Sequence, residues 1–271
     1  MSSLQIVRFN PTTHASPVNL FLNLKPLLSD VNSKGDLEDF AKKLNPVVPF
    51  YDPLGLADQT FWGKGETRTG EVSGLFLPGD IWGGYEASNE GTIGWLRHSE
   101  IKHGRVAMAA FVGYCVQSNG LRFPWQMTMD GTPFPSADLS PEMQWDALPI
   151  GAQWQLIMFI GFLEVWGECA MDKHYMKGGV PGKFPDFNGN KNMELPHPVP
   201  LNLFDPFGLS KGASAEKKAR GLLSEINNGR LAQIGIFGFI SASKVEGSVP
   251  ALAGIIKHYD GDVMAPFAGH I

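Results

Sequence analysis

EIKHGRVAMAAFVGY at 100–114 and EINNGRLAQIGIFGF at 225–239 are two copies of one stretch. Glu, Ile, Gly and Arg recur at the same places: Glu100 and Glu225, Ile101 and Ile226, Gly104 and Gly229, Arg105 and Arg230. Each copy then runs on in apolar and small residues, which predicts a helix. Each is preceded by a matching turn, FYDPLGLA at 50–57 and LFDPFGLS at 203–210, where Asp-Pro and Gly punctuate the chain. Turn and helix therefore occur twice, around a middle segment that has no mate. A duplicated helix predicts a pseudo-twofold pair of crossing helices.

The copies carry an electrostatic problem. Glu100 and His103 share a helix face, as do Glu225 and Asn228. Arg105 and Arg230 follow two residues later, near the helix middle. A charge at the centre of an apolar helix costs about 2.5–3.5 kcal/mol on insertion scales. Reciprocal pairing relieves that cost: Glu100 with Arg230, and Glu225 with Arg105. Each pair is then neutral outside while one carboxylate oxygen stays free. Gly104 and Gly229 permit close approach, and Ala107, Ala110, Gly113, Ala232, Gly235 and Gly238 add small residues to the crossing.

Around this pair the 271 residues, with 32 Gly and 20 Pro, divide into long loops and few helices. Helices are expected at about 94–118, 149–175 and 215–244, with short ones near 35–44 and 249–258. Residues 1–49 read as an N-terminal extension, 50–260 as a three-helix domain and 261–271 as a tail. No stretch alternates apolar and polar residues, so no sheet is expected. The net charge of -5 gives no support for nucleic-acid binding. Cys115 and Cys169 lie in apolar segments, which predicts buried structural thiols and no disulfide.

The apolar runs are shorter than a membrane span requires, but paired charges would relax that limit. Loop charge points the same way: 119–147 holds one basic residue, Arg122, among Asp130, Asp138, Glu142 and Asp146. Segments before the first helix and at 176–220 are basic. Three spans with the N-terminus on the basic side satisfy this pattern. The expected fold is thus an all-α membrane protein of three transmembrane helices, first and third crossed, with short amphipathic helices and long loops.

The free donors suit a magnesium pigment. Chlorophyll magnesium is a hard cation that accepts one axial oxygen or imidazole nitrogen. Each ring needs one donor, so the donors need not converge. On the paired E-x-x-[HN]-G-R helices and the D-P-[LF]-G-L turns, the sequence resembles the chlorophyll-binding light-harvesting antenna family over about residues 50–260. The resemblance implies Glu100, His103, Glu225 and Asn228 as magnesium ligands, with Arg105 and Arg230 as their ion-pair partners. It adds Gln155 and Glu164 on the middle helix, then Glu168 and His258. It also implies two carotenoids whose head groups meet the turns at Asp52 and Asp205. Many relatives carry Gln or His fourteen residues after the Asn ligand of the third helix, where this chain has Ala242.

The stretch around 248–252 resembles the red-lineage branch. That implies chlorophyll a with chlorophyll c, rather than chlorophyll b, and a xanthophyll. The implied setting is an integral protein of the plastid thylakoid membrane, N-terminus on the stromal side. There it would contact lipid and neighbouring antenna subunits and feed a photosystem, photosystem I in particular. A binding protein with no bond chemistry follows. Two other readings remain open at this point: a photoprotective member of the same fold, and a di-iron carboxylate bundle. The bundle would join Glu100 and His103 with Glu164 or Glu168.

Overall fold

The repeated stretches lie inside two helices of 30 residues each, α2 (Asn89–Ser118) and α5 (Ala215–Lys244). The computed structural model describes residues 31, 33–44, 50–59, 89–193, 195, 199 and 202–270. These also hold α1 (Lys34–Leu44), α3 (Pro141–Asp146) and α4 (Ile150–Cys169), with 3-10 turns at Leu56–Asp58, Tyr175–Lys177, Pro250–Leu252 and Ala268–His270. No strand occurs among the described residues. Most of the N-terminal extension, the basic residues Lys64 and Arg68 and most of the loop before α2 lie outside them.

The described residues form two units, one from 1–93 with Gly208–Leu223 and one from Gly94–Phe207 with 224–271. In the first, Ser33 caps α1. Its hydroxyl accepts from the Asp36 N–H, and its own N–H donates to the Asp36 carboxylate at 3.1 Å, a reciprocal arrangement that satisfies orphan helix donors. Lys34 pairs with Asp58, and the Asn89 side chain donates to the Ala57 carbonyl at 2.6 Å.

In the second unit α2 and α5 meet at glycine. A Cβ on Gly229 would lie 2.9 Å from the Gly104 Cα, and one on Gly104 would lie 3.1 Å from the Gly229 Cα. Gly235 faces the Phe111 ring, whereas Gly113 and Gly238 face open space. Of the glycines expected at the crossing, the Gly104–Gly229 pair makes the close backbone approach. Along α4, Trp166 and Ala170 pack with Phe187, Leu163 and Phe184, and the Trp166 indole N–H donates to the Pro185 carbonyl. The loop after α4 thus folds back on the helix it leaves.

Several expectations need correction. No helix among the described residues is long and apolar enough to cross a membrane. The three transmembrane spans are overturned, and with them the integral thylakoid placement and the stromal N-terminus. The physical reason lies in the side chains. The central part of α2 carries Arg97, Glu100, Lys102 and Arg105; α5 adds Glu225 and Arg230 to a charged first turn. The twenty residues of α4 include Gln153, Gln155, Glu164 and Glu168. Pairing neutralises such charges without making the segment apolar.

Helix limits also move. α2 starts at Asn89, and α4 ends at Cys169. α3 stands in the expected loop at 119–147. Its signal is Ser140, whose hydroxyl accepts from the Met143 N–H, followed by Pro141 at the first helical position. The expected helix at 249–258 is reduced to the turn Pro250–Leu252, since Gly254 sits at φ 76° and ends it. Cys115 and Cys169 are free but only half-buried.

Candidate functional site

Two ion pairs tie α2 to α5. The Arg105 Nε donates to Glu225 Oε1 at 2.6 Å, and the Arg230 Nε donates to Glu100 Oε1 at 2.7 Å. The guanidinium of Arg105 also reaches the Gly182 carbonyl. In each pair the arginine engages Oε1, and Oε2 accepts no hydrogen bond among the described residues. Arg97, buried nearby, has its pKa lowered to about 10 by burial, against the opposing pull of Glu100.

The next position in each copy is held by its own helix. The His103 ring nitrogen Nδ1 lies 2.8 Å from the Ser99 carbonyl, so Nδ1 is the donor there, and in the neutral ring Nε2 presents a lone pair. The Asn228 amide nitrogen donates to the Ser224 carbonyl at 2.9 Å and to its hydroxyl at 3.0 Å. That leaves Asn228 Oδ1 facing away. Both side chains are exposed. Glu100, His103, Glu225 and Asn228 thus share one design: a neighbour engages one polar atom and leaves a second without a hydrogen bond among the described residues.

On α4 the candidates differ. Gln155 is exposed beside a cavity of about 790 Å³ lined by Phe123, Phe134, Trp145, Leu156 and Phe159. Glu164 is exposed, with Oε2 held by Lys102 at 2.6 Å. Glu168 has both oxygens taken: Tyr175 donates to each, and the His174 ring contacts Oε2 at 2.9 Å. Burial pushes the Glu168 carboxyl up, but the hydrogen bonds from His174 and Tyr175 outweigh it and hold it below the ordinary range. Glu168 is therefore a structural anchor for the 174–175 turn. In the tail, the His258 Nε2 lies 2.7 Å from the Asp260 carboxylate, on an exposed stretch.

The turns position the remaining two candidates. Asp52 accepts the N–H groups of Leu56 and Ala57 at 2.8 and 2.9 Å, one on each oxygen, and these bonds lower its pKa. Gly55 and Gly208, equivalent in the repeat, both adopt left-handed φ, 61° and 69°. Asp205, unlike Asp52, itself sits at φ 49°, in the left-handed region that Asp adopts more readily than most residues with a Cβ.

Sequence reasoning missed a group of contacts around His98. The ring is buried, stacks on Tyr175 at 3.8 Å and accepts the Gly182 N–H at Nδ1, while Nε2 has no partner. Burial is the main cause lowering its pKa to about 4. Two acids read as loop charges also have partners. Tyr114 donates to Glu142, and Tyr259 donates to Asp146 at 2.8 Å. Burial, then Asp146, raises the Tyr259 pKa to about 12. Periodicity carries no signal for such long-range contacts.

Chemically, the donors are single oxygens or nitrogens spread along helix faces. Among the described residues no three His, Cys, Asp or Glu side chains converge on a metal. A di-iron bundle needs such convergence. A pigment magnesium, which takes one axial donor, does not.

The chain also has recognisable relatives. The family model for chlorophyll A-B binding protein matches residues 36–244. The chain belongs to the chlorophyll a-b binding protein family. The members of this family are light-harvesting proteins that bind chlorophyll and carotenoid and catalyse no reaction. Within it the chain falls on the red-lineage side. It is 34% identical over 156 residues to fucoxanthin-chlorophyll a-c binding protein F of Phaeodactylum tricornutum, covering 55% of this chain and 65% of that protein. To protein A of the same organism it is 35% identical over 150 residues, 54% and 63%. To protein F of Macrocystis pyrifera it is 34% identical over 147 residues, 54% and 59%. The matches thus span less than two thirds of these relatives' own lengths.

Proposed function

We propose that this chain is an antenna subunit that holds chlorophyll a, chlorophyll c and a xanthophyll in a plastid and passes excitation to a photosystem, photosystem I in particular. The observation that carries the reading is the repeated donor design. Glu100, Glu225, His103 and Asn228 each have one polar atom fixed by a neighbour and a second left without a hydrogen bond among the described residues.

The apolar surface supports it. Val106 and Val112 on α2, Leu231, Ile234 and Phe237 on α5, and Met158, Phe159 and Ile160 on α4 are all more than half exposed. Contiguous exposed apolar surface marks a place that something covers. Here the occupant is the pigment, whose macrocycle absorbs light and hands the excitation to a neighbouring ring when bound. The protein's part is geometric. The Glu–Arg pairs balance the charge of the ligating carboxylates through charge-assisted hydrogen bonds. The glycine crossing fixes the helices, and therefore the donors, at one separation. Asp52 and the turn at 203–210 are proposed to meet carotenoid end groups, and Gln155 and Glu164 to add pigment sites on α4. His258 stands as a further donor once freed from Asp260.

The test is a pigment chromatogram and absorption spectrum of the full chain refolded with extracted chlorophylls and carotenoids. Stable uptake of chlorophyll a, chlorophyll c and a xanthophyll is expected. Recovery of the folded chain without magnesium tetrapyrrole would sink the reading.

A further inference from the structure

The segment 259–270 runs from the end of α5 to α3 and the start of α4. Its first residues are pinned to α5. The Tyr259 N–H donates to the Ser243 carbonyl at 2.9 Å, and the Lys244 ammonium donates to the Gly261 carbonyl at 2.6 Å. The rest is held by side chains. Trp145 Nε1 donates to the Pro266 carbonyl at 2.8 Å, and the Tyr259 hydroxyl donates to Asp146 at 2.8 Å. Phe267 stacks on Trp154 with ring centres 4.6 Å apart, and the His270 ring lies 2.9 Å from the Leu148 carbonyl. Gly269 is seated so closely that a Cβ there would lie 2.8 Å from Asp146.

Between these anchors the segment forms one wall of a cavity of about 710 Å³. Val263 and Met264 line it together with Tyr114 of α2 and Ile236 and Ile240 of α5. Its charged lining is Glu142, Asp146 and Asp262, and no Lys, Arg or His among the described residues joins them. An acidic lining repels an anion, so the cavity suits an uncharged apolar ligand. The other walls are helical, whereas the described residues from 260 to 270 hold two backbone hydrogen bonds, Ala265 to Asp262 and His270 to Phe267, each closing one turn. A segment held in this way opens locally at lower cost than the helices around it.

We propose that 262–270 is a strap that closes this cavity over an uncharged apolar ligand and sets how long the ligand stays. The inference rests on the antenna reading, which makes the ligand one of the pigments. The strap opens when Phe267 leaves Trp154 and the Pro266 carbonyl leaves the Trp145 indole, while Ser243 and Lys244 keep its first residues on α5. Neither Phe267 nor Gly269 lines the cavity. Changing them loosens the strap and leaves the ligand's own contacts as they are.

Full-length chains refolded with the chlorophyll and carotenoid extract test this: wild type, Phe267→Ala, Phe267→Tyr and Gly269→Ala. Each is diluted into excess detergent micelles, and the pigment left on the chain is chromatographed over time. Exchange of the Trp145 indole N–H is followed in parallel. Phe267→Ala removes the stack, and Gly269→Ala wedges the strap off Asp146. Both should release one uncharged pigment about tenfold faster, with indole exchange quickened by the same factor. The other pigments should leave at the wild-type rate. Phe267→Tyr keeps the stack and should match wild type. Wild-type release in both alanine variants overturns the proposal, and so does an equal acceleration for every pigment. If either alanine variant does not assemble, Tyr259→Phe decides, since it removes only the hydroxyl bond to Asp146: faster loss of one pigment supports the strap, and an unchanged rate overturns it. A wild type that takes up no pigment overturns the antenna reading and the strap with it, whereas unaltered release from pigmented variants overturns the strap alone.

Discussion

The two copies of the repeat share a helix, a glycine and a Glu–Arg exchange, yet they sit in different surroundings. In the first copy Arg97, His98 and Lys102 surround the Glu; in the second the same places hold Leu222, Leu223 and Asn227. His98 and Lys102 carry contacts of α2 beyond the crossing. His98 holds Tyr175 and Gly182, and Lys102 holds Glu164. The second copy lacks these groups. The ion pairs differ accordingly. Arg105–Glu225 is 40% and 27% exposed and has the added Gly182 carbonyl, while Arg230–Glu100 is 48% and 39% exposed. Duplication therefore supplies a symmetric crossing, and one copy has in addition become the dock for α4 and its loop.

The largest effect should fall where the copies are most alike. Gly229→Val and Gly104→Val each drive a side chain into the opposing backbone, where even a Cβ is too close. Each should cost at least about 3 kcal/mol in denaturant unfolding, since overpacking cannot relax against a main chain. Costs that differ widely between the two would break the symmetric account of the crossing.

Acid should separate the copies. His98 has a pKa of about 4 in the folded chain, depressed by burial, against about 6.5 when unfolded. Above pH 6.5 the ring is neutral in both states and contributes its full stability. As pH falls from 6.5 to 4, the unfolded chain gains a proton that the folded chain refuses, so stability is lost across that window and levels below it. The loss is on the order of 3 kcal/mol. His98→Gln should remove that part of the pH dependence, measured by urea midpoints from pH 7.5 to 4; an unchanged slope would place the titration elsewhere.

Asymmetry in the ion pairs should be smaller but measurable. Arg105→Leu leaves the more buried Glu225 without its cation and should cost about 2 kcal/mol. Arg230→Leu, which strands the more exposed Glu100 with Arg97 close by, should cost about 1 kcal/mol. Equal costs would mean that burial does not set their strength.

These contrasts follow the line between what the sequence discloses and what it hides. The crossing is legible because a repeated Glu and Arg in otherwise apolar stretches leave reciprocal pairing as the natural relief. The turns are legible because Gly55 and Gly208 recur with Asp-Pro before them. The docking of α4 is not. Lys102, His98, Glu168 and Tyr175 belong to segments without repeat or periodic relation, and only the folded chain brings them together. The membrane spans fail for a different reason: pairing cancels charge but adds no apolar length. α3 is hidden because a six-residue helix in a Pro-rich segment shows its cap and little else.

The smallest expected effect is the most specific to function. His103 and Asn228 occupy equivalent places, each fixed by the residue four positions earlier, with an imidazole nitrogen outward in one and an amide oxygen in the other. Both side chains are exposed, so exchanging them should leave stability within about 0.5 kcal/mol. His103→Asn should keep the helix back-bond, because the Asn amide can reach the Ser99 carbonyl as Asn228 reaches that of Ser224. Asn228→His should keep it in reverse. Pigment count should then be unchanged in both single variants, while one chlorophyll absorption component moves in each, because the donor atom has changed from nitrogen to oxygen or back. The double exchange should move both components together. If the low-temperature spectra of all three variants superpose on the wild type, neither residue touches pigment magnesium, and the functional difference between the copies would lie only in how they dock α4.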